Sequence, residues 1–285
     1  MACKRGNCCN INPLVQPSTG LGRLLTERLF ERGDRVVATL RRKGALDDLQ
    51  ALHGDRLQQL TFDVTDTSAM RTSVSQAFMT SGRIDLVVSN AGYGLFGTAE
   101  EASDEQIEQQ IATNLTGSIQ FIRAVLPHLR KQGGGRIVQV SSEGGQIAYP
   151  SFSLYHATKW GIEGFVESVA KEVAPFGIVF IIAEPGPTAT QFAEGLDRTA
   201  TMPIYEDSPA GELRRALASG DLAIKGDAGN TVKAIIKVAD MTAPPLRLTL
   251  GSTAYESISH ALKERSESLE TYKDMALSAD RKEVA

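Results

Sequence analysis

The strongest constraint on this chain is an alternation. Short aliphatic and β-branched runs recur along it: "RVVATL" (35–40), "LQQLTF" (57–62), "IDLVVS" (84–89), "RIVQVSS" (136–142), "IVFIIA" (178–183) and "LRLTL" (246–250). Between them lie stretches whose apolar residues repeat at helical spacing, at 23–32, 45–53, 67–80, 103–132, 152–174 and 230–240. Strands that are apolar throughout are buried on both faces, and strand–helix–strand crossovers close right-handed. The expectation is a single α/β domain: a Rossmann-like doubly wound parallel sheet of about seven strands with helices on both faces. Its limits are read as 15–275, after an atypical segment 1–14 and before a flexible tail 276–285. Residues 190–225 break the rhythm and are expected to form a lid over a pocket. A last helix is expected to open on a capping box, Thr253 with Glu256.

Composition narrows the classes. Of the 285 residues 42% are apolar and 22% charged, which suits a globular chain, and a net charge of −4 gives no pull towards nucleic acid or anionic membrane. Cys3, Cys8 and Cys9 crowd one end, with no histidine near to complete a metal site. No stretch has the length or apolarity of a signal peptide or a membrane span, so a cytoplasmic protein is expected.

Several short motifs fall at strand and helix ends. They are Gly20-Leu21-Gly22, Asp63-Val64, Asn90-Ala91-Gly92, Asn114, Ser142, Tyr155 with Lys159, and Pro185-Gly186. None is specific alone. In this order and spacing, over nearly the whole chain, they resemble the short-chain dehydrogenases/reductases, in particular the single-domain branch close to hydroxysteroid dehydrogenases.

Elementary chemistry gives these residues work. Moving a hydride between an alcohol and a ketone also moves a proton, and a protein group must give or take it. Tyr155 is the candidate acid/base, and Lys159, four residues on, shares its helix face and is expected to lower its pKa. Ser142 is expected to orient the substrate oxygen. Asn114 resembles the family residue that kinks its helix and holds a water for proton relay. His156 lies about 100° round the helix from Tyr155 and reads as structural. His53, His128 and His260 receive no role, and no metal is expected.

The resemblance also implies a dinucleotide site built from Ser18, Thr19, Gly20, Gly22, Leu40, Arg41, Asp63, Val64, Asn90, Ala91, Gly92, Tyr155, Lys159, Pro185, Gly186 and Thr188. An acidic residue at the end of the second strand suits NAD, whereas an arginine suits the 2′-phosphate of NADP. Here Leu40 and Arg41 stand there, so NADP(H) is expected rather than NAD(H). Phe96, Ile147, Tyr149, Phe152, Phe192, Leu196 and Met202 would make the substrate pocket apolar. A homodimer or homotetramer is implied by resemblance only.

One departure stands out. The family pattern Thr-Gly-x-x-x-Gly-x-Gly becomes Val15-Gln16-Pro17-Ser18-Thr19-Gly20-Leu21-Gly22, so the glycine that makes the tight turn is Gln16. The lead-in "NINPLV" carries Pro13, which is tolerated mainly at sheet edges, although this strand should be central. The chain is family-like after Ser18 and unlike it before Val15, which reads as a replaced N-terminus. Two functions stay open: an NADP(H)-dependent oxidoreductase for an apolar alcohol or ketone, or a catalytically impaired relative that binds a nucleotide or a protein.

Overall fold

Leu14 and Val15 are fully buried and point to opposite faces of the middle of a sheet. They belong to β1 (Pro13–Val15) in a computed structural model that describes residues 12–16, 20–221 and 223–281. The chain continues through α1 (Gly20–Arg32), β2 (Val36–Leu40), α2 (Asp47–His53), β3 (Leu57–Thr61), α3 (Thr67–Ser81), β4 (Leu86–Ser89) and β5 (Leu95–Phe96). Then come α4 (Asp104–Ile111), a π-helical turn (Ala112–Gly117), α5 (Ser118–Lys131), β6 (Gly135–Val140), α6 (Ser153–Val173) and β7 (Ile178–Pro185). The remainder is β8 (Asp197–Arg198), α7 (Pro209–Ser219), α8 (Ala228–Ala239), β9 (Arg247–Leu250), α9 (Ser252–Thr271) and α10 (Lys273–Leu277).

Seven strands form one parallel sheet in the order β3-β2-β1-β4-β6-β7-β9. On one face α3, α5 and α6 bury Met70, Val74, Phe121, Ile122, Val125, Ile162 and Val166. On the other, α1, α2 and α8 bury Leu25, Leu29, Leu49, Val232 and Ile235. The expected doubly wound α/β domain is therefore the fold. Strand order reverses between β1 and β4, and ligands of such sheets sit in the crevice above that parting.

Pro13 lies in the central strand after all. It is the strand's first residue, the place where a missing N–H disturbs the ladder least. β1 needs only Leu14 and Val15 to pair with β2, and it extends along β4 from Pro13 to Val15. Burying two aliphatic side chains contributes about 1.5–3 kcal/mol each, enough to offset one lost hydrogen bond of about 1 kcal/mol.

Two helix expectations change. The run 103–132 is not one α-helix, because the π-helical turn inserts between α4 and α5. The last helix opens two residues early, at Ser252 after Gly251 at φ 101°, with no side-chain cap, so Thr253 and Glu256 form no capping box. The 190–225 segment holds β8 and α7, and β8 pairs in parallel with β5 through Leu95–Asp197 and Phe96–Arg198.

Candidate functional site

The C-terminal ends of β1, β4, β6 and β7 converge on one edge of the sheet, and most of the residues singled out in the sequence lie there. β6 runs out into Ser141 and Ser142. Ser142 Oγ accepts a hydrogen bond from Gly144 N at 3.1 Å, which turns the chain back towards α6. Tyr155 and Lys159 project from one face of α6, and Lys159 Nζ lies 5.5 Å from the Tyr155 ring centroid. That ammonium donates to Val140 O at 3.1 Å, tying α6 to β6 two residues before Ser142. The Ser142 side chain lies close enough to the Tyr155 phenol to lower its pKa. Ser142, Tyr155 and Lys159 are thus one buried cluster.

His156 is structural, as its spacing predicts. Its Nδ1 pairs with Gly144 O at 2.9 Å and its Nε2 accepts from Tyr149 N at 3.3 Å, stitching together the loop between Ser142 and Tyr155. His53 stacks on Phe30 and His128 on Phe78, while His260 lies beside Glu264.

The electrostatics differ from expectation. Burial pushes the Tyr155 phenol up to about 12, with smaller raises from Glu143 and Glu163, against a lowering by Ser142. Lys159 is itself pushed down to about 8 by burial, partly opposed by the Glu163 carboxylate. With the chain's own groups alone, Tyr155 is a protonated phenol at neutral pH, poised to give a proton.

Asn114 sits in the π-helical turn, a feature frequent at functional sites. Its side chain closes a ring with the Tyr93 backbone: Oδ1 accepts from Tyr93 N at 3.0 Å and Nδ2 donates to Tyr93 O at 2.7 Å. Ser118 Oγ donates to its carbonyl at 3.0 Å. The residue fixes the segment that follows Asn90-Ala91-Gly92, and a Cβ on Gly92 would lie 3.2 Å from Asn114 Oδ1.

At the β1–β4 parting, Gln16 is 5% exposed. Its Oε1 accepts from Asn90 N at 3.0 Å and Ala91 N at 3.1 Å, while Asn90 Nδ2 donates to Gln16 O at 3.1 Å. Among the described residues its buried Nε2 has no partner. Gly20 opens α1 at φ 57°, a left-handed conformation that glycine adopts freely, and a Cβ there would lie 3.6 Å from Thr190 Cβ. Gly22 is buried, and its carbonyl accepts from Thr26 Oγ1. Ser18 and Thr19 lie outside the described residues, as do Pro17 and the three cysteines.

Further along the same edge, Leu40 packs into the core against α1 and α2, so Arg41 is the residue that the end of β2 presents to solvent. Asp63 Oδ1 accepts from Thr65 N and Oγ1, which lowers its pKa, and the charge of Arg41 lowers it further. Val64 follows, in contact distance of Gly117 of the π-helical turn. Gly186 N donates to Leu250 O, and Thr188 Oγ1 donates to Gly186 O at 2.8 Å.

The aromatic residues of the expected pocket meet. Phe152 packs edge-on against Phe96, Tyr149 and Tyr155, and Phe192 of the lid lies 5.7 Å from the Tyr155 ring. Leu196 and Phe192 crowd Gly94 so closely that a Cβ there would collide with them. The 190–225 segment is tied down by Glu101, which spacing gave no reason to single out. Its carboxylate takes Arg214 Nη2 at 2.9 and 3.0 Å and Met202 N at 2.8 Å. Ile147 contributes its carbonyl to Trp160 Nε1.

Beneath Ser142 runs a second unforeseen array. Ser141 Oγ donates to Glu163 Oε1 at 2.5 Å, and Arg247 of β9 binds Glu163 at 2.5 Å, Glu184 at 2.5 Å and Glu167 at 2.8 Å. Glu163 follows Lys159 by one helical turn, and that spacing was the available signal.

Among the described residues no helix is long and apolar enough to cross a membrane, and no group of three or more His, Cys, Asp or Glu could hold a metal ion. The sequence model of the family described as short chain dehydrogenase matches residues 16–201. An oxidoreductase of Botryotinia fuckeliana, BOA17, is 34% identical over 92% of this chain and 96% of its own. The crystal structure of a short-chain dehydrogenase from Streptomyces avermitilis superposes with a TM-score of 0.87 at 33% identity, covering 95% of this chain and 99% of that one. At the level of fold, a short chain dehydrogenase from Burkholderia cenocepacia in complex with NADP has a TM-score of 0.72 at 24% identity, over 93% and 98% of the two chains.

Proposed function

The chain belongs to the short-chain dehydrogenase family, and from that footing we propose that it is an NADP(H)-dependent oxidoreductase interconverting a ketone and a secondary alcohol on an apolar small molecule. The observation that carries the reading is the buried Ser142–Tyr155–Lys159 cluster, with a phenol that its burial keeps protonated.

The crevice residues fit a dinucleotide. Gly20 carries the left-handed turn at the start of α1, and Arg41 is exposed at the end of β2. Gly20, Gly22, Arg41, Asp63, Val64, Asn90, Ala91, Gly92, Lys159, Pro185, Gly186 and Thr188 would hold the group, with Ser18 and Thr19 from the turn. Arg41 would read the 2′-phosphate bidentately. The B. cenocepacia neighbour holds NADP, while another Burkholderia neighbour of this fold is in complex with NAD. When bound, the nicotinamide supplies or accepts the hydride.

The remaining steps belong to the chain. Ser142 Oγ orients the substrate oxygen, and Tyr155 Oη donates the proton that turns the nascent alkoxide into an alcohol. Lys159 compensates the phenolate left on Tyr155, and Asn114 keeps the loop after β4 in place. Phe192 and Phe152 exclude water from the phenol. A cytoplasmic location and a homodimer or homotetramer belong to the same reading.

A second reading has one observation in its favour. The Gln16 carboxamide spans the β1–β4 parting where a dinucleotide would cross, which suits a relative that binds nucleotide weakly and acts through partners. Titrating the chain with NADPH by fluorescence, then assaying NADPH oxidation with a panel of apolar ketones, separates the two. Saturable micromolar binding with turnover upholds the enzyme; absence of binding favours the second reading.

A further inference from the structure

Five carboxylates are buried among the described residues, and four of them are paired with arginine: Asp34 with Arg32, Glu101 with Arg214, and Glu163 and Glu184 with Arg247. The fifth is Glu143. It is 4% exposed, and its Oε2 has no hydrogen-bond partner. Burial pushes it up to about 7, and its charge raises both Tyr149 and Tyr155.

Its position is specific. Glu143 follows Ser142 directly, and its Oε2 lies 3.3 Å from where a Cβ on Gly186 would stand. The carboxyl is therefore set between the ends of β6 and β7. The β1–β4 parting lies on the other side of Ser142 in the strand order, while Gly186 beside Glu143 is among the residues that would hold the dinucleotide, so the carboxyl stands where substrate and cofactor would meet. A buried carboxyl without a donor destabilises the free protein, and such exceptions concentrate where a ligand completes them.

We infer that Glu143 is the group with which the pocket reads a hydrogen-bond donor on the substrate, a hydroxyl or amine a few bonds from the carbonyl received by Ser142 and Tyr155. The inference rests on the keto-reductase reading of this site and adds its substrate class: hydroxyketones or aminoketones rather than plain ketones. The donor fills the valence that Glu143 lacks.

The test uses the full chain with NADPH and two probes, 2-hydroxyacetophenone (the α-hydroxyketone) and acetophenone. Wild type is expected to favour the hydroxyketone in kcat/KM by about tenfold or more, the worth of one hydrogen bond to a charged group. Glu143→Val should bring that ratio towards one, and Glu143→Gln, which still accepts a hydrogen bond, should keep part of it. The free Glu143→Val protein should melt at a higher temperature than wild type, because an orphaned carboxyl is replaced by an apolar side chain; a merely structural Glu143 would make it melt lower. Equal kcat/KM values for both ketones in wild type and variant would overturn the inference while leaving the keto-reductase reading intact. If wild type turns over neither probe, that reading is what fails. Calorimetric titration of the hydroxyketone into both proteins with NADPH then decides Glu143, tighter binding to wild type supporting it and equal binding overturning it.

Discussion

Gln16 and Asn90 hold each other across the parting of the sheet, through Gln16 Oε1 with Asn90 N at 3.0 Å and Asn90 Nδ2 with Gln16 O at 3.1 Å. The carboxamide also takes Ala91 N, so a side chain satisfies two strand-end donors at the place where the family has a glycine. Gln16→Gly should therefore move two quantities in opposite directions. It frees the turn and opens the crevice, so NADPH should bind about tenfold tighter. It also leaves Asn90 N and Ala91 N without their acceptor, at a cost of about 1–3 kcal/mol in stability. Fluorescence titration and urea unfolding read the pair. An unchanged Kd beside a loss of stability would make Gln16 a structural brace alone.

Tyr155→Phe should lower kcat for ketone reduction by about 10²–10⁴-fold, the range for a positioned general acid. The ring contacts with Phe152 and Phe192 persist in the variant, so NADPH affinity and melting temperature should barely move. Wild-type turnover in the variant would remove Tyr155 from the chemistry.

The pH profile should follow Lys159. Burial holds this ammonium at about 8, far below its ordinary range, while Tyr155 stays protonated to about 12. Below pH 8 Lys159 is charged and can compensate a phenolate; above it that charge is lost. Reduction measured as kcat/KM should fall as pH rises through about 8. Glu163 raises the Lys159 pKa, so in Glu163→Gln the descending limb should move to lower pH.

Arg41 is the basis of the cofactor preference, since Leu40 beside it belongs to the core. Arg41→Ala should weaken NADPH by about 10–150-fold and NADH by far less, the difference being one charge-assisted contact to the 2′-phosphate. Similar losses for both cofactors would show that Arg41 does not read that phosphate.

Glu101 should make the lid acid-sensitive. Burial alone would raise its pKa, but hydrogen bonds from Met202 N and Thr98 N, with the Arg214 pair, hold it at about 2 against an ordinary 4.5. A depressed carboxylate contributes stability that is full above its unfolded pKa and is lost as pH falls towards the folded one. That shift corresponds to about 3 kcal/mol, disappearing between about pH 4.5 and 2. Glu101→Gln should remove this contribution at neutral pH, leaving Arg214 with only Glu206. Proteolysis within 199–215, followed across pH in both proteins, checks it.

The sheet was legible because central parallel strands are apolar on both faces, a signal that needs no partner to be seen. β1 was obscure because Pro13 argues against a central strand and only Leu14 and Val15 argue for one. The apolar rhythm of 103–132 continues through the π-helical turn, whose one mark was Asn114, read as resembling a residue that kinks its helix. Ser142, Tyr155 and Lys159 could be found because a strand end and a four-residue helical spacing bring them together locally. Glu101 could not, because Arg214, which explains it, lies 113 residues away; Glu163 offered only its one-turn spacing from Lys159, since Arg247 lies 84 residues away. Glu143 carried no individual signal, because its burial comes from packing between the ends of β6 and β7.

The array beneath Ser142 also constrains how this sequence can drift. A Cβ at Gly145 would run into the Glu163 carboxylate, and one at Gly144 into the His156 ring. Gly145 cannot gain a side chain while Glu163 is retained, and shortening Glu163 removes the acceptor of Ser141 and one of the three carboxylates around Arg247. Positions 141, 145, 163, 184 and 247 therefore form a block of correlated substitution: homologous chains should keep it whole or exchange its members together, and those that exchange it should do so at 145 and 163 in the same step.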